Sequence, residues 1–182
     1  MAISKQYAWL DAIPNLPKMV AEAVKLGKLN TNEVPGQKSN PVILALAKEA
    51  GVAKIYTNDD VAWCAVAHTV LALRAEEEVP FTGYARLRAA SFLEFGKQIR
   101  IPVLGDTLIF KRDGGFHVGL YIGEDATCYH VAGGNQSNQF NIVRIEKTRL
   151  LQARRPNYKI LMPKSAVRIY LDGKGAISKN EA

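Results

Sequence analysis

The chain has 182 residues, of which 48% are apolar and 23% charged, with only 8 prolines; this is the balance of one folded domain with its own core, and it excludes a disordered or collagen-like polymer. Two cysteines are too few for a secreted disulfide scaffold, so both are read as free thiols. The formal charge of +7 favours an anionic partner, but Lys and Arg are spread along the chain without a basic block or a recognisable nucleic-acid motif, which argues against nucleic acid.

The first segment, "MAISKQYAWLDAIPNLPKMV", is interrupted by Asp11, Pro14, Pro17 and Lys18, so it is not read as a signal peptide, and no later stretch has the length of a membrane span. The expectation is a product made in the cytoplasm. Residues 16 to about 28 place Leu16, Met19, Val20, Ala23 and Val24 at helical spacing and predict the first helix. After "NTNEVPGQKSN", Asn40 or Ser39 caps a second helix that starts at Pro41 and stops at Gly51. A third helix is expected from about residue 60 to 75, capped by Asn58 or Asp59 and apolar nearly all round, hence buried. A fourth is expected from about residue 84 to 95, ending at Gly96.

The second half changes period. "DTLIFKR", "FHVGLYIG", "TCYHVAGG" and "FNIVRIE" are short runs of branched and aromatic residues between Gly, Asp and Asn clusters, which predicts an antiparallel meander. "AVRIYL" is one more possible strand, followed by a tail expected to fray. Helices first and strands later make the fold class α+β.

Chemistry concentrates on a thiol and three imidazoles. A nucleophilic cysteine needs an environment that supports thiolate, a histidine to pair with it, and a polar group to hold that histidine in one tautomer. Cys64 falls about one turn after the predicted cap, where free backbone N–H groups favour an anion, whereas Cys128 sits on a strand without such support. His68 lies one helical turn after Cys64 and leaves little room for a substrate between them, so it is given a structural or rim role. His117 opens a strand just after the "RDGG" turn, and His130 lies on the next strand.

The partner of the histidine depends on register. With a three-residue loop "DAT", His117 lies opposite Asn135 and His130 turns to the other face; with a two-residue loop "DA", His130 joins the His117 face and Asn135 turns away. A bulge at Gly133-Gly134 relaxes this alternative. A zinc site from Cys64, His68, Cys128 and His130 lacks the usual ligand spacings, and no metal or cofactor is expected.

In order along the chain, "YTNDDVAWCAV", "LGDTLIFKR", "HVGLYIGED" and "AGGNQSN" resemble NlpC-type and CHAP-type cell-wall cysteine peptidases, most closely a phage and prophage branch in which "EVPGQKSNPVIL" precedes the cysteine helix. The resemblance covers residues 30 to 156 and leaves 1–29 as an N-terminal helical extension and 157–182 as a C-terminal strand and tail of a single domain, 1–182. It implies a papain-like fold, with N-terminal helices on a small antiparallel sheet. It implies Cys64 as nucleophile, His117 as base and a third polar residue on the following strand. Asn135 is taken as that third residue, with His130 the alternative; the Cys64 N–H and Tyr56 are the candidate oxyanion donors. The implied function is hydrolysis of an amide bond in peptidoglycan, at the cell wall after release by lysis or virion delivery. The rivals are a non-catalytic envelope-binding protein of the same fold and a cysteine protease or acyltransferase with another substrate.

Overall fold

The Asn-Pro pair starts a helix as expected. In the computed structural model, which describes residues 4–34, 38–159, 161–179 and 181, α2 (Pro41–Glu49) begins with Asn40 Oδ1 accepting the Val42 N–H at 2.8 Å. Proline at the first helical position loses no bond, because that N–H is unpaired in any helix. The first predicted helix is α1 (Lys18–Lys28), and the third is α3 (Cys64–Arg74), buried at every position from Cys64 through Ala72. The fourth predicted helix is instead two 3-10 turns, Gly83–Leu87 and Ala89–Glu94, split at Arg88, whose backbone is extended. A further 3-10 turn, Lys5–Ala12, precedes α1 and was not anticipated. Among the described residues no helix is long and apolar enough to cross a membrane.

The meander is present as β2 (Thr107–Arg112), β3 (Gly115–Glu124), β4 (Cys128–Gly133) and β5 (Asn141–Glu146). Two strands extend it beyond the sequence reading: β1 (Lys97–Ile99) and β6 (Leu150–Arg155). All neighbours pair antiparallel, in the order β1-β6-β2-β3-β4-β5. The protein is therefore α+β. "AVRIYL" forms no strand of its own; one parallel bridge, Glu124 to Tyr170, the Arg168–Glu124 ion pair and bonds between Ile169 and the Tyr121 hydroxyl hold it against the sheet.

One face of the sheet carries Ile109, Val118, Leu120 and Ile122 into the main core with α1, α2 and α3. Tyr7, Leu10, Met19, Val20 and Leu26 belong to that same core, so residues 7 to 26 are built into the domain. Each large side chain that is fully buried there, such as Phe92 or Phe95, contributes about 1.5–3 kcal/mol by leaving water. The opposite face holds Leu108, Phe110, Tyr121 and Val131 in a second cluster.

The β3–β4 hairpin takes neither of the two expected registers throughout. Asp125 N–H bonds Cys128 O at 2.9 Å, so the tip is Ala126-Thr127, and Glu124 then faces Tyr129. A bulge at Ile122 shifts the pairing, and beyond it Tyr121 faces Val131 and Leu120 faces Ala132. Continued, that ladder would set His117 opposite Asn135; it stops, because β4 ends at Gly133.

Residues 164–179 run back along the sheet, tied by Glu124, a carboxylate 1% exposed that accepts from Arg168 and Lys147 at 2.6 Å each and from the Tyr121 hydroxyl at 3.1 Å. Burial alone would raise the Glu124 pKa, but these three partners pull it from 4.5 to about 2. Its contribution is present above pH 4.5 and is lost as pH falls toward 2. Burial holds His68 and His117 neutral, with pKa values near 3 and 4 against an ordinary 6.5, so acid favours the unfolded chain from 6.5 downward. The signs agree: the thermal midpoint falls steadily from pH 7 to pH 3, and Glu124→Gln flattens the part below 4.5. A flat midpoint across that range in a pH series of thermal melts would contradict this.

Candidate active site

Cys64 is the first residue of α3, not one turn inside it. The expected caps are used elsewhere: Asp59 Oδ2 accepts the backbone N–H groups of Asn40 at 2.7 Å and Val34 at 3.1 Å, and Asn58 Oδ1 accepts that of Asp60. Trp63 takes the N-cap position and offers no side-chain acceptor, which leaves the first-turn N–H groups free for another anion. The N–H groups of Cys64 and Ala65 serve the Cys64 thiol itself, and a third comes from the Val118 backbone on β3. The thiol is 4% exposed; burial pushes its pKa up, while the three N–H groups and the nearby Arg112 charge pull it partly back. Cys64 therefore rests as a neutral thiol, against the strand that carries His117.

His117 is wholly buried, and its two ring nitrogens are differently placed. Nε2–H donates to Gln136 Oε1 at 3.0 Å. The Gln136 amide cannot turn over, because its nitrogen donates to Asn141 O at 2.8 Å, to Asn141 Oδ1 at 3.0 Å and to Val131 O at 3.2 Å. With the acceptor thus assigned by the network, Nε2 carries the proton and Nδ1 carries the lone pair. Nδ1 is buried and makes no hydrogen bond among the described residues. Burial lowers the His117 pKa to about 4, so the ring is neutral near pH 7 and its lone pair is free to take a proton.

The glycine pair explains how helix and strand converge. A Cβ on Gly133 would meet Gln136 Oε1 at 3.1 Å and His117 Nε2 at 3.3 Å; one on Gly134 would meet the Trp63 ring at 2.7 Å and Ala67 Cβ at 2.9 Å. Successive residues of one loop thus lie against the imidazole–amide bond and against the residue before Cys64. Asn135, Ser137 and Asn138 then take positive φ values of 56°, 54° and 61°, which turns the chain so that Gln136 points back to His117. Gly133→Ala crowds that bond, whose partners must give way by a few tenths of an ångström, and the expected outcome is a folded protein destabilised by about 1–3 kcal/mol with slower turnover at unchanged thiol content. A variant with parent melting and parent rate would show that the contact is loose.

The other residues singled out from the sequence lie as follows. Asn135 is buried at the loop's first positive-φ position, but the bond to His117 Nε2 comes from Gln136, the next residue. His130 is engaged at both nitrogens, with Tyr7 Oη at 2.7 Å and Asp125 Oδ2 at 3.0 Å, and Arg144 Nε donates to that same Asp125 oxygen at 2.8 Å. This ties the N-terminal segment to β4 and leaves His130 no bond to His117. His68 Nε2 meets Thr107 Oγ1 at 2.8 Å, and its ring sits edge-on to Phe92 at 4.8 Å; it is an interior residue that fastens α3 to β2. Tyr56 donates its hydroxyl to Val61 O at 2.8 Å, holding the loop that leads into α3. Cys128 is free and buried, as is Cys64. Among the described residues no group of three or more His, Cys, Asp or Glu side chains could hold a metal ion.

No protein-family model matches this chain, and no curated protein shows significant similarity to it. The chemistry is thus read from the residues: a thiol at a helix start, an imidazole with one nitrogen held and one available, and an amide that does the holding. Gln136 was missed because it stands one place beyond the residue chosen. The "GGNQ" loop carries the side chain that bonds His117, but two glycines followed by left-handed residues break the alternation on which a choice between neighbours depends.

Proposed function

We propose that this chain is a cysteine hydrolase of papain-like architecture that cleaves an amide bond in peptidoglycan. The observation that carries the catalytic part is the state of His117: Nε2 is fixed on Gln136 while the buried Nδ1 has no partner, on the strand whose next N–H meets the Cys64 thiol. An imidazole held in this way is a poised base.

Nδ1 takes the Cys64 proton, and the sulfur attacks the amide carbonyl to form a tetrahedral adduct. The Cys64 backbone N–H, at the positive end of α3, supports the developing oxyanion. Nδ1–H then protonates the leaving amine, a thioester remains on Cys64, and a water deprotonated by Nδ1 hydrolyses it. Gln136 accepts the Nε2–H bond throughout and adds no charge.

The substrate class rests on the resemblance of four segments to cell-wall peptidases, and the charge of +7 suits an anionic envelope. Digestion of purified peptidoglycan followed by mass spectrometry tests it: the expected products are fragments heavier by one water with a new amine and a new carboxylate. Walls left intact by a protein that hydrolyses an unrelated peptide or transfers an acyl group would move the activity to another substrate.

A further inference from the structure

The reading of Cys64 and His117 as the reacting pair leaves a buried ion pair beside them without a task. Arg149, after β5, donates through one guanidinium nitrogen to Glu181 Oε1 at 2.9 Å and through the other to Oε2. Glu181 is wholly buried and the Arg149 side chain is 17% exposed. The guanidinium does not depend on Glu181 for its place, because Nε donates to Lys111 O at 3.1 Å. Lys111 pairs with Phe116, and Phe110 pairs with His117, so Arg149 is anchored one residue from the base. The charges of both Arg149 and Glu181 are felt at the His117 ring.

Glu181, by contrast, sits on a thinly held segment. Residues 173–177 and 179 are exposed, and among the described residues this stretch is attached by the Ile177 bridge to Arg144, Ser178 N–H to Arg144 O, and the Gly175 and Ser178 carbonyls that accept from Arg144 and Arg149, while the Ser178 side chain bonds Glu181 itself. Cys64, His117 and Gln136 are themselves 4%, 0% and 0% exposed, so a substrate reaches them only after something moves.

We propose that Arg149 is a carboxylate-binding subsite of the active site, occupied in this conformation by the chain's own Glu181 and taken over by a carboxylate of the substrate. The choice of ligand class follows from the cost of leaving the fork empty. A largely buried guanidinium stripped of its anion is strongly unfavourable, so a neutral group cannot replace Glu181. A planar fork whose two nitrogens meet two oxygens selects a carboxylate. The substrate is then a peptide carrying a free carboxylate close to the scissile amide. This rests on the proposed chemistry at Cys64 and narrows its substrate.

The test uses the full chain and reads Cys64 alkylation by iodoacetamide, resolved from Cys128 by mass spectrometry. Glu181→Gln is expected to raise the Cys64 rate on the order of tenfold, by removing charge-assisted bonds that keep the site shut. In that variant N-acetyl-alanyl-alanine, which ends in a carboxylate, is expected to slow alkylation, and its terminal carboxamide is not. Inorganic phosphate at the same concentration is expected to protect less than the acid. The acid's protection is expected to vanish in the double variant Glu181→Gln with Arg149→Leu, checked for folding by its melting curve. Parent-like alkylation in Glu181→Gln, equal effects of acid and amide, equal protection by phosphate, or protection that survives loss of Arg149 would each overturn the proposal. No cell wall enters these measurements. If they succeed and walls stay intact, the wall substrate is wrong and the subsite stands; if walls are cut and alkylation is unchanged, the subsite is wrong alone.

Discussion

Cys64→Ala and His117→Ala are each expected to lower the proposed hydrolysis of purified peptidoglycan by at least about a thousandfold, since a nucleophile and its base act as one unit and neither works without the other. Cys64→Ala removes a single sulfur from a buried helix start and is expected to melt close to the parent, so its loss of activity reads as chemistry and not as unfolding. The pH behaviour adds a second readout. The thiol is pushed above its ordinary 9.0 and the imidazole is held near 4, both by burial, so the resting pair is neutral and not a thiolate–imidazolium ion pair. Alkylation of Cys64 in the resting chain should therefore stay slow at neutral pH and climb only in the alkaline range. A thiol that reacts fully at pH 6, or a Cys64→Ala protein that clears walls at the parent rate, would dispose of the assignment.

Gln136→Leu is expected to reduce kcat by about a hundredfold, because His117 then has no acceptor to keep the proton on Nε2 and the lone pair on Nδ1. Asn135→Gly, which keeps the positive φ, is expected to leave kcat within about threefold, because the bond to His117 Nε2 comes from Gln136 and not from Asn135. KM should move little in Gln136→Leu, since the amide faces the imidazole and not the substrate. The reverse ranking, with Asn135 the sensitive position, would return the orienting role to the residue favoured by the motif alone.

What could be read from the sequence was whatever local chemistry decides. Asn40-Pro41 sets the start of α2, and the alternation in "HVGLYIG" sets β3, because capping and side-chain period act over a few residues. The start of α3 was misplaced by one turn because Asp59, a good cap by type, is spent on the backbone of residues 34 and 40, a contact made across the fold. Strands β1 and β6 were passed over because "KQI" and "LLQARR" have no apolar alternation; they form by pairing with each other, and β6 also with β2. The exchange of Asn135 for Gln136 has the same origin, since a bulge at Ile122 and the exit of β4 at Gly133 lie outside any local rule. Glu181 was beyond reach for the plainest reason: it approaches His117 from the far end of the chain, in a tail whose composition reads as solvent-exposed.

Trp63 stands immediately before Cys64, its indole N–H donates to Glu33 Oε1 at 2.8 Å, and its ring lies against Gly134. The sequence holds only one other tryptophan, Trp9. With Trp9 replaced by phenylalanine, the fluorescence of the protein comes from a single indole that touches both loops flanking the thiol. Changes in its colour and intensity then give a clock for site opening, timed in a stopped-flow instrument without any label.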